Sequence, residues 1–360
     1  VDKLKLYTNQ NFDQLRQRQD PLADQVVEDL IANPNLIDVI NSWDLIPDQL
    51  SPDFSPRVRN FLQFYFDKQS LEEISVLQNG QDFFAKNGDI YLGLLGFYSL
   101  PYCYAFGDGA EVLVRSKRIV QDIGKRLAET GVFVMDIFRP NAFISDSRAY
   151  LTCAKVRLIH AFSRFFIQKY ARDWDPKFGK AINQEDMLGT NLAFSLIVLR
   201  GMIKMGRNIS ESDFEAVLQY WKWIGELIGV DTKFWPENSK EAFELDRLIR
   251  KRHLKSTEAG KTLIAALGGY YKGNIPDALI RQQVDGLFYF FLGKEASNAL
   301  GIKSTNALPG NLVDLVFRFS GWKNYGSKKS YEGFRRMMEI QQKEQFGEVI
   351  KLNLPQVVRS

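Results

Sequence analysis

The chain has 360 residues, of which 45% are apolar and 25% charged, and 47 Lys and Arg stand against 43 Asp and Glu. Such a chain is expected to be globular and can hold one large core or two modest domains. Two histidines and two cysteines exclude a disulfide framework or a Cys-rich metal site, and they all but exclude iron or zinc held by several histidines.

Helical periodicity dominates the chain. Residues 20–32 predict a first helix, closed by Asn33-Pro34-Asn35, and 36–50 a short helix and loop. Pro52 and Pro56 flank the turn into a helix over 56–68. A helix over 69–86 is expected to end near Asn87-Gly88, and an apolar one over 89–100 to stop at Pro101. From Gly109 to Phe138, Leu113, Val120, Ile123, Leu127, Val134 and Ile137 recur at helical spacing. This predicts one long helix, ended by Arg139-Pro140. A second long helix is expected over 147–170. Asp173 to Ile182 reads as a loop, and Asn183 as the cap of a helix over 184–205 with Glu185 and Asp186 in its first turn. Ser210 to Asp213 is a variant capping arrangement for 211–228.

The remainder predicts helices over 238–254, 257–268, 276–291, 293–300, 310–321 and 330–343, then an extended piece from Val349 to Leu352. No strand alternation, internal repeat or clear linker interrupts this pattern. The expected fold is all-α, a single large helical domain with peripheral helices. Its expected parts are an N-terminal extension over 1–88, a core over 89–325 and a C-terminal helix and tail over 326–360.

Net charge is +4 and the pI about 8.8, with basic residues spread along the chain. The densest cluster, Arg247, Arg250, Lys251, Arg252, His253 and Lys255, reads as a solvated helix face rather than a nucleic-acid or membrane patch. The most apolar run, Ile90 to Phe106, contains Pro101 and two mid-run glycines and reads as a buried helix and its exit, so no integral membrane span is expected. The start, Val1-Asp2-Lys3-Leu4-Lys5, lacks the pattern of a secretory signal, which places the protein in the cytoplasm. A monomer or homodimer is expected.

Two positions carry the candidate chemistry. Arg126, Glu129 and Thr130 share one helix face, where Arg126 and Thr130 interrupt the stripe through Ile123 and Leu127. Buried polar groups need partners. A cavity holding a ligand, water or cofactor supplies them, or else Arg126 pairs internally with Glu129 or Asp122. His160 lies mid-helix beside Val156, Ser163 and Ile167, flanked by Arg157 and Arg164. A neutral imidazole is a good ligand for haem iron, and the arginines are suited to haem propionates. The ordinary alternatives are a hydrogen-bonded core histidine and solvent-facing arginines. No Glu-x-x-His repeat suggests a diiron site, and no Gly-x-Ser-x-Gly elbow suggests a hydrolase. Haem is the redox cofactor that demands least of this chain. Phe97, Tyr98, Tyr102 and Tyr104 read as core packing, with a pocket wall as the alternative.

The run Arg126-Leu127-Ala128-Glu129-Thr130, followed by Val156-Arg157-Leu158-Ile159-His160-Ala161-Phe162-Ser163-Arg164, resembles the latex clearing protein (rubber oxygenase) and mpaB-type oxygenase superfamily. Ile182-Asn183-Gln184-Glu185-Asp186-Met187-Leu188-Gly189-Thr190 resembles a further block of it, with Ala181 where proline is usual. The resemblance covers roughly residues 80–230 well. It implies a globin-like helical core with haem b, His160 as proximal ligand and Arg126 and Thr130 on the distal side. It also implies dioxygen and an apolar, alkene-bearing small molecule as reaction partners. The departure is Glu129, where rubber-cleaving members carry lysine. This carboxylate can act as a base, neutralise Arg126 or point away, and the spacing of three favours neutralisation. A haem protein without oxygenase activity, and a cofactor-free helical carrier with no cavity between the two helices, are the alternatives.

Overall fold

A computed structural model describes residues 2–69, 74–115, 122–275, 278–303 and 331–356, almost entirely as helices. Among the described residues the only β pairing is two isolated bridges. The N-terminal part contains α1 (Asn9–Leu15), α2 (Pro21–Ala32), α3 (Asn35–Ser42) and α4 (Pro56–Gln69). Pro21 and Pro56 stand at the first positions of their helices, where the missing N–H costs nothing.

The middle of the chain departs from simple punctuation. Helix α5 (Ile74–Leu94) runs straight through Asn87-Gly88, continues as a π-helical turn over Leu95–Ser99 and enters α6 (Leu100–Tyr104). Pro101 therefore does not stop it. The Leu100 N–H reaches back to the Leu95 carbonyl, and this wider turn accommodates a proline ring that a regular α-turn would clash with. The single helix expected over 109–138 is interrupted at Asp122, and its described parts are α7 (Gly107–Arg115) and α8 (Ile123–Ile137). Asp122 starts the second afresh: its backbone is non-helical and its side chain accepts the Lys125 N–H.

Helix α9 (Arg148–Tyr170) has the expected limits. Asn183 caps α10 (Gln184–Leu192), which passes through a π turn at Ala193–Ile197 into α11 (Val198–Lys204). Ser210 caps α12 (Glu211–Leu227), its hydroxyl accepting the Asp213 N–H. Helix α13 (Ser239–His253) follows. Helix α14 (Glu258–Asn274) runs longer than its periodicity predicts. Then come α15 (Ala278–Gln282), α16 (Val284–Ala299) and α17 (Tyr331–Phe346). The expected break at 292 is a kink within α16 at Gly293, whose positive φ of 73° suits glycine. The helix predicted over 310–321 lies outside the described residues.

The core is aromatic. Trp221, Trp235, Tyr65, Tyr91 and Tyr220 are each under 2% exposed. Phe84, Phe138 and Tyr220 form a stack with centroids 4.4 and 4.6 Å apart, which locks α5 against α12. The Trp221 indole donates to the Tyr91 hydroxyl at 2.6 Å, and Tyr65 to the Leu227 carbonyl at 2.8 Å. Trp235 is also fixed, donating to the Leu218 carbonyl at 2.9 Å, so Trp235-Pro236 is a packing turn. Phe97, Tyr98 and Tyr102 belong to this core. Tyr104 is buried too, but lines the cavity described below.

Among the described residues, the run Gln184–Lys204 is the one helix long and apolar enough to cross a membrane, and 72% of its apolar window is buried within the fold. It packs internally against α12.

Candidate functional site

Helices α8 and α9 pack side by side and wall a cavity of about 890 Å³. That volume is typical of small-molecule and cofactor sites, which span roughly 300–1,000 Å³. His160, Arg126, Glu129 and Thr130 all line it, among mainly apolar neighbours that include Leu100, Tyr104, Phe133 and Phe194. The residues separated by more than thirty positions in sequence thus meet at one space.

His160 is the least satisfied group there. Its Nδ1 is buried and has no hydrogen-bond partner. Burial first, then the positive charges of Arg164 and Arg126, push its pKa down to about 3. The imidazole is therefore neutral, with a lone pair free of competition from protons. An imidazole that makes no hydrogen bond among the described residues and stands on the wall of a large cavity suits a ligand that binds its ring.

Arg126 donates to Glu129 at 2.6 Å across one helical turn. The neutralising contact favoured by the spacing is present, and it coexists with a cavity, unlike the cofactor-free alternative that required none. The Thr130 hydroxyl donates to the Arg126 carbonyl at 2.9 Å. Its oxygen keeps the capacity to accept.

Arg157 and Arg164 lie elsewhere. Both are buried, at 6% and 3% exposure, and neither lines the cavity. Arg157 grips Asp20 with two bonds of 2.6 and 2.8 Å and lies over the Phe64 ring. Arg164 binds Asp24 at 2.6 Å. The bidentate Arg157–Asp20 pair is of a strong and geometrically exacting kind. The two arginines clamp α9 onto α2, so neither expected role, propionate partner or solvent-facing edge, describes them. Gly229 completes this clamp: with φ of 88°, it sits where a Cβ would run into the Asp20 carboxylate and the Arg157 guanidinium.

A second polar wall joins part of the Ile182–Thr190 block to residues distant in sequence. Glu185, Asp186 and His253 also line the cavity. His253 bridges Glu185 at 2.7 Å and Asp108 at 3.3 Å, and Arg16 pairs with Asp108 and Asp186, each at 3.2 Å. Burial works against a charged His253, but its bonds to Asp108 and Glu185 prevail and raise its pKa. Asp186 is pushed up to about 6, chiefly by burial. The basic cluster is therefore not a plain solvated face. Arg250 pairs with Glu295, Arg252 with Glu185 and Asp13, and Lys255 with Asp108. The sequence signals for this wall are the Ile182–Thr190 block, in which Glu185 and Asp186 stand, and their place in a helix's first turn, neither of which indicates His253, Asp108 or Arg16 as partners. Cys103 and Cys153 are free thiols, and no group of three or more His, Cys, Asp or Glu among the described residues is placed to hold a metal ion.

The family model described as ER-bound oxygenase mpaB/B'/Rubber oxygenase, catalytic domain, matches residues 104–322. The rubber oxygenase of Streptomyces sp. (strain K30) is 24% identical over 267 residues, covering 71% of this chain. The chain spans 63% of that curated relative's length. The structure of latex clearing protein LCP in the closed state matches with a TM-score of 0.66 and 21% identity, over 90% of this chain and 91% of that one. At that identity the likeness concerns the fold, and it agrees with an all-α protein with a globin-like core. The cytoplasmic placement drawn from the charged start is overturned, because the matching family is described as ER-bound. With more than half its length matched, the chain belongs to the ER-bound oxygenase mpaB/B'/rubber oxygenase family.

Proposed function

We propose that this protein is a haem b-dependent oxygenase that uses dioxygen on an apolar, unsaturated, isoprenoid-like substrate. The observation that carries the proposal is His160: a neutral imidazole that lines a cavity of cofactor size and makes no hydrogen bond among the described residues. Such a residue fits a ligand to haem iron. Bound there, haem b would supply the activation of dioxygen.

The chain's own groups have separable tasks. His160 would hold the cofactor through a ring nitrogen, its imidazole staying neutral throughout the physiological range. Arg126 has five donors, and one carboxylate does not exhaust them, so it can stabilise developing negative charge on oxygen. Glu129 moderates that charge. Thr130 accepts a proton-bearing partner as it stands, or donates to one by giving up its bond to the Arg126 carbonyl, at about 1 kcal/mol. The apolar wall takes up the hydrocarbon and excludes water. Arg157 and Arg164 enter this proposal as anchors of α9 rather than as partners of cofactor carboxylates.

The absorption spectrum of the purified protein with bound-iron quantification tests the cofactor. A Soret band that disappears in His160→Ala supports it. Colourless protein that also fails to take up added haemin sinks it. One observation favours a second reading, a haem protein without oxygenase activity: the Arg126–Glu129 pair, which lowers the positive field beside the cavity. That reading expects the same spectrum but no oxygen consumption with a panel of alkenes and terpenoids.

A further inference from the structure

The cavity face of α9 does not end at His160. Phe162, Phe166 and Tyr170 follow at intervals of four and all line the cavity. Their rings form a ladder, with centroids 6.2 and 6.1 Å apart and successive planes only 23° and 22° from parallel. Exposure rises along it. Phe162 is 1% exposed, Phe166 is half-buried and Tyr170 is 64% exposed. Eight residues of α-helix span about 12 Å, so this wall leads from the interior to the surface.

Tyr170 is an anomaly for a helix end: a large aromatic ring mostly in water, yet held in register. The Lys169 ammonium lies 5.5 Å from its ring and 5.3 Å from that of Phe165. The rim beside it is polar. Arg115 binds Asp173 at 2.9 Å and lies over the Trp174 ring at 5.7 Å, and Arg115 and Asp173 also line the cavity. Near-parallel rings offer a continuous apolar wall without directional bonds. Such a wall holds a chain by contact area and lets it slide, whereas the charged rim retains a polar end.

We infer that the Phe162–Phe166–Tyr170 ladder is the entry track of the cavity, that an extended, acyclic hydrocarbon chain enters it tail-first with a polar head left at the Arg115–Asp173 rim, and that Tyr170 sets the chain length preferred. The inference rests on the apolar-substrate part of the proposed function and is independent of haem. Tyr170 is a positioning residue, since it is far along the helix from His160.

Calorimetric titration with primary n-alkanols from hexanol to hexadecanol tests it, using the protein as purified. Affinity should rise roughly three- to fourfold per methylene up to a plateau, as expected for burial of successive CH₂ groups. In Tyr170→Ser the plateau should come at a shorter chain, with the longest alkanols bound roughly tenfold more weakly and hexanol unchanged. Tyr170→Phe should behave as wild type. Tyr170 is exposed, so these variants are expected to fold, and thermal melts verify that. An unchanged length profile in Tyr170→Ser overturns the track, as does a Tyr170→Phe variant that behaves like Tyr170→Ser. Absence of alkanol binding with a Soret band present overturns the track and leaves the haem reading intact. A length profile as expected in protein that takes up no haem does the reverse.

Discussion

Three residues of one eight-residue stretch of α9 differ in whether protein groups answer them, although all three looked like cofactor contacts. Arg157 and Arg164 meet Asp20 and Asp24 in tight pairs, even though each keeps one buried nitrogen unbonded. His160, a neutral ring on the cavity wall, makes no hydrogen bond among the described residues. Partner accounting separates them: a paired charge holds a fold together, while an unpartnered ring beside a cavity is available to a ligand. Burial alone would have ranked the arginines above the histidine.

The largest effect expected from that contrast is on stability. Arg157→Ala should destabilise the protein by about 3–5 kcal/mol, because it strands Asp20 in a buried site. Urea denaturation measures this, and the double variant Arg157→Met/Asp20→Leu should recover most of the loss. Whatever folds of Arg157→Ala should still take up haem. If it folds normally and takes up none, the clamp is not the residue's main task and the contrast with His160 breaks.

The next effect is pH-dependent and belongs to His160. The folded imidazole accepts a proton only near pH 3, whereas in the unfolded chain it does so near 6.5. Between those values the unfolded chain holds the extra proton. The stability associated with the neutral ring is complete above about pH 6.5 and declines as pH falls, by up to about 1.4 kcal/mol per unit. Compared with His160→Leu, haem-free wild-type protein should therefore lose about 2 kcal/mol more between pH 7 and pH 5. Parallel pH dependence of the two urea midpoints would show that the imidazole is not held neutral by its surroundings.

The smallest structural effect should come from Glu129→Gln. Arg126 is about a third exposed, so loss of the pair should cost less than about 1 kcal/mol. Oxygen consumption with an alkene substrate should nevertheless rise, because the guanidinium charge is no longer offset. An unchanged or lower rate would assign Glu129 a role other than neutralising Arg126.

The parts of this protein that were legible in the sequence are those decided within a few residues. Asn183 and Ser210 cap their helices through bonds to N–H groups three residues on. The limits of α9 and the contact between Arg126 and Glu129 are likewise fixed by helical spacing. Periodicity failed where a local feature had two outcomes. Asn87-Gly88 and Pro101 normally end helices, but here burial of the surrounding aromatics and a π turn carry the chain through. Asp122 resembles an ordinary exposed helix residue until its side chain caps a new helix.

The sequence by itself determined an all-helical chain with His160 in the middle of one helix and Arg126, Glu129 and Thr130 on a face of another, since turn-by-turn spacing and capping are short-range. Only the tertiary structure decided what those faces meet. Arg157 and Asp20 are 137 residues apart, and Glu185 and His253 are 68 apart. Such partners exist only once packing has closed the chain between them, and their cost or benefit depends on the water that packing removes. The same packing left His160 without a partner beside an open cavity, and that distinction, absent from spacing, is what marks it for function.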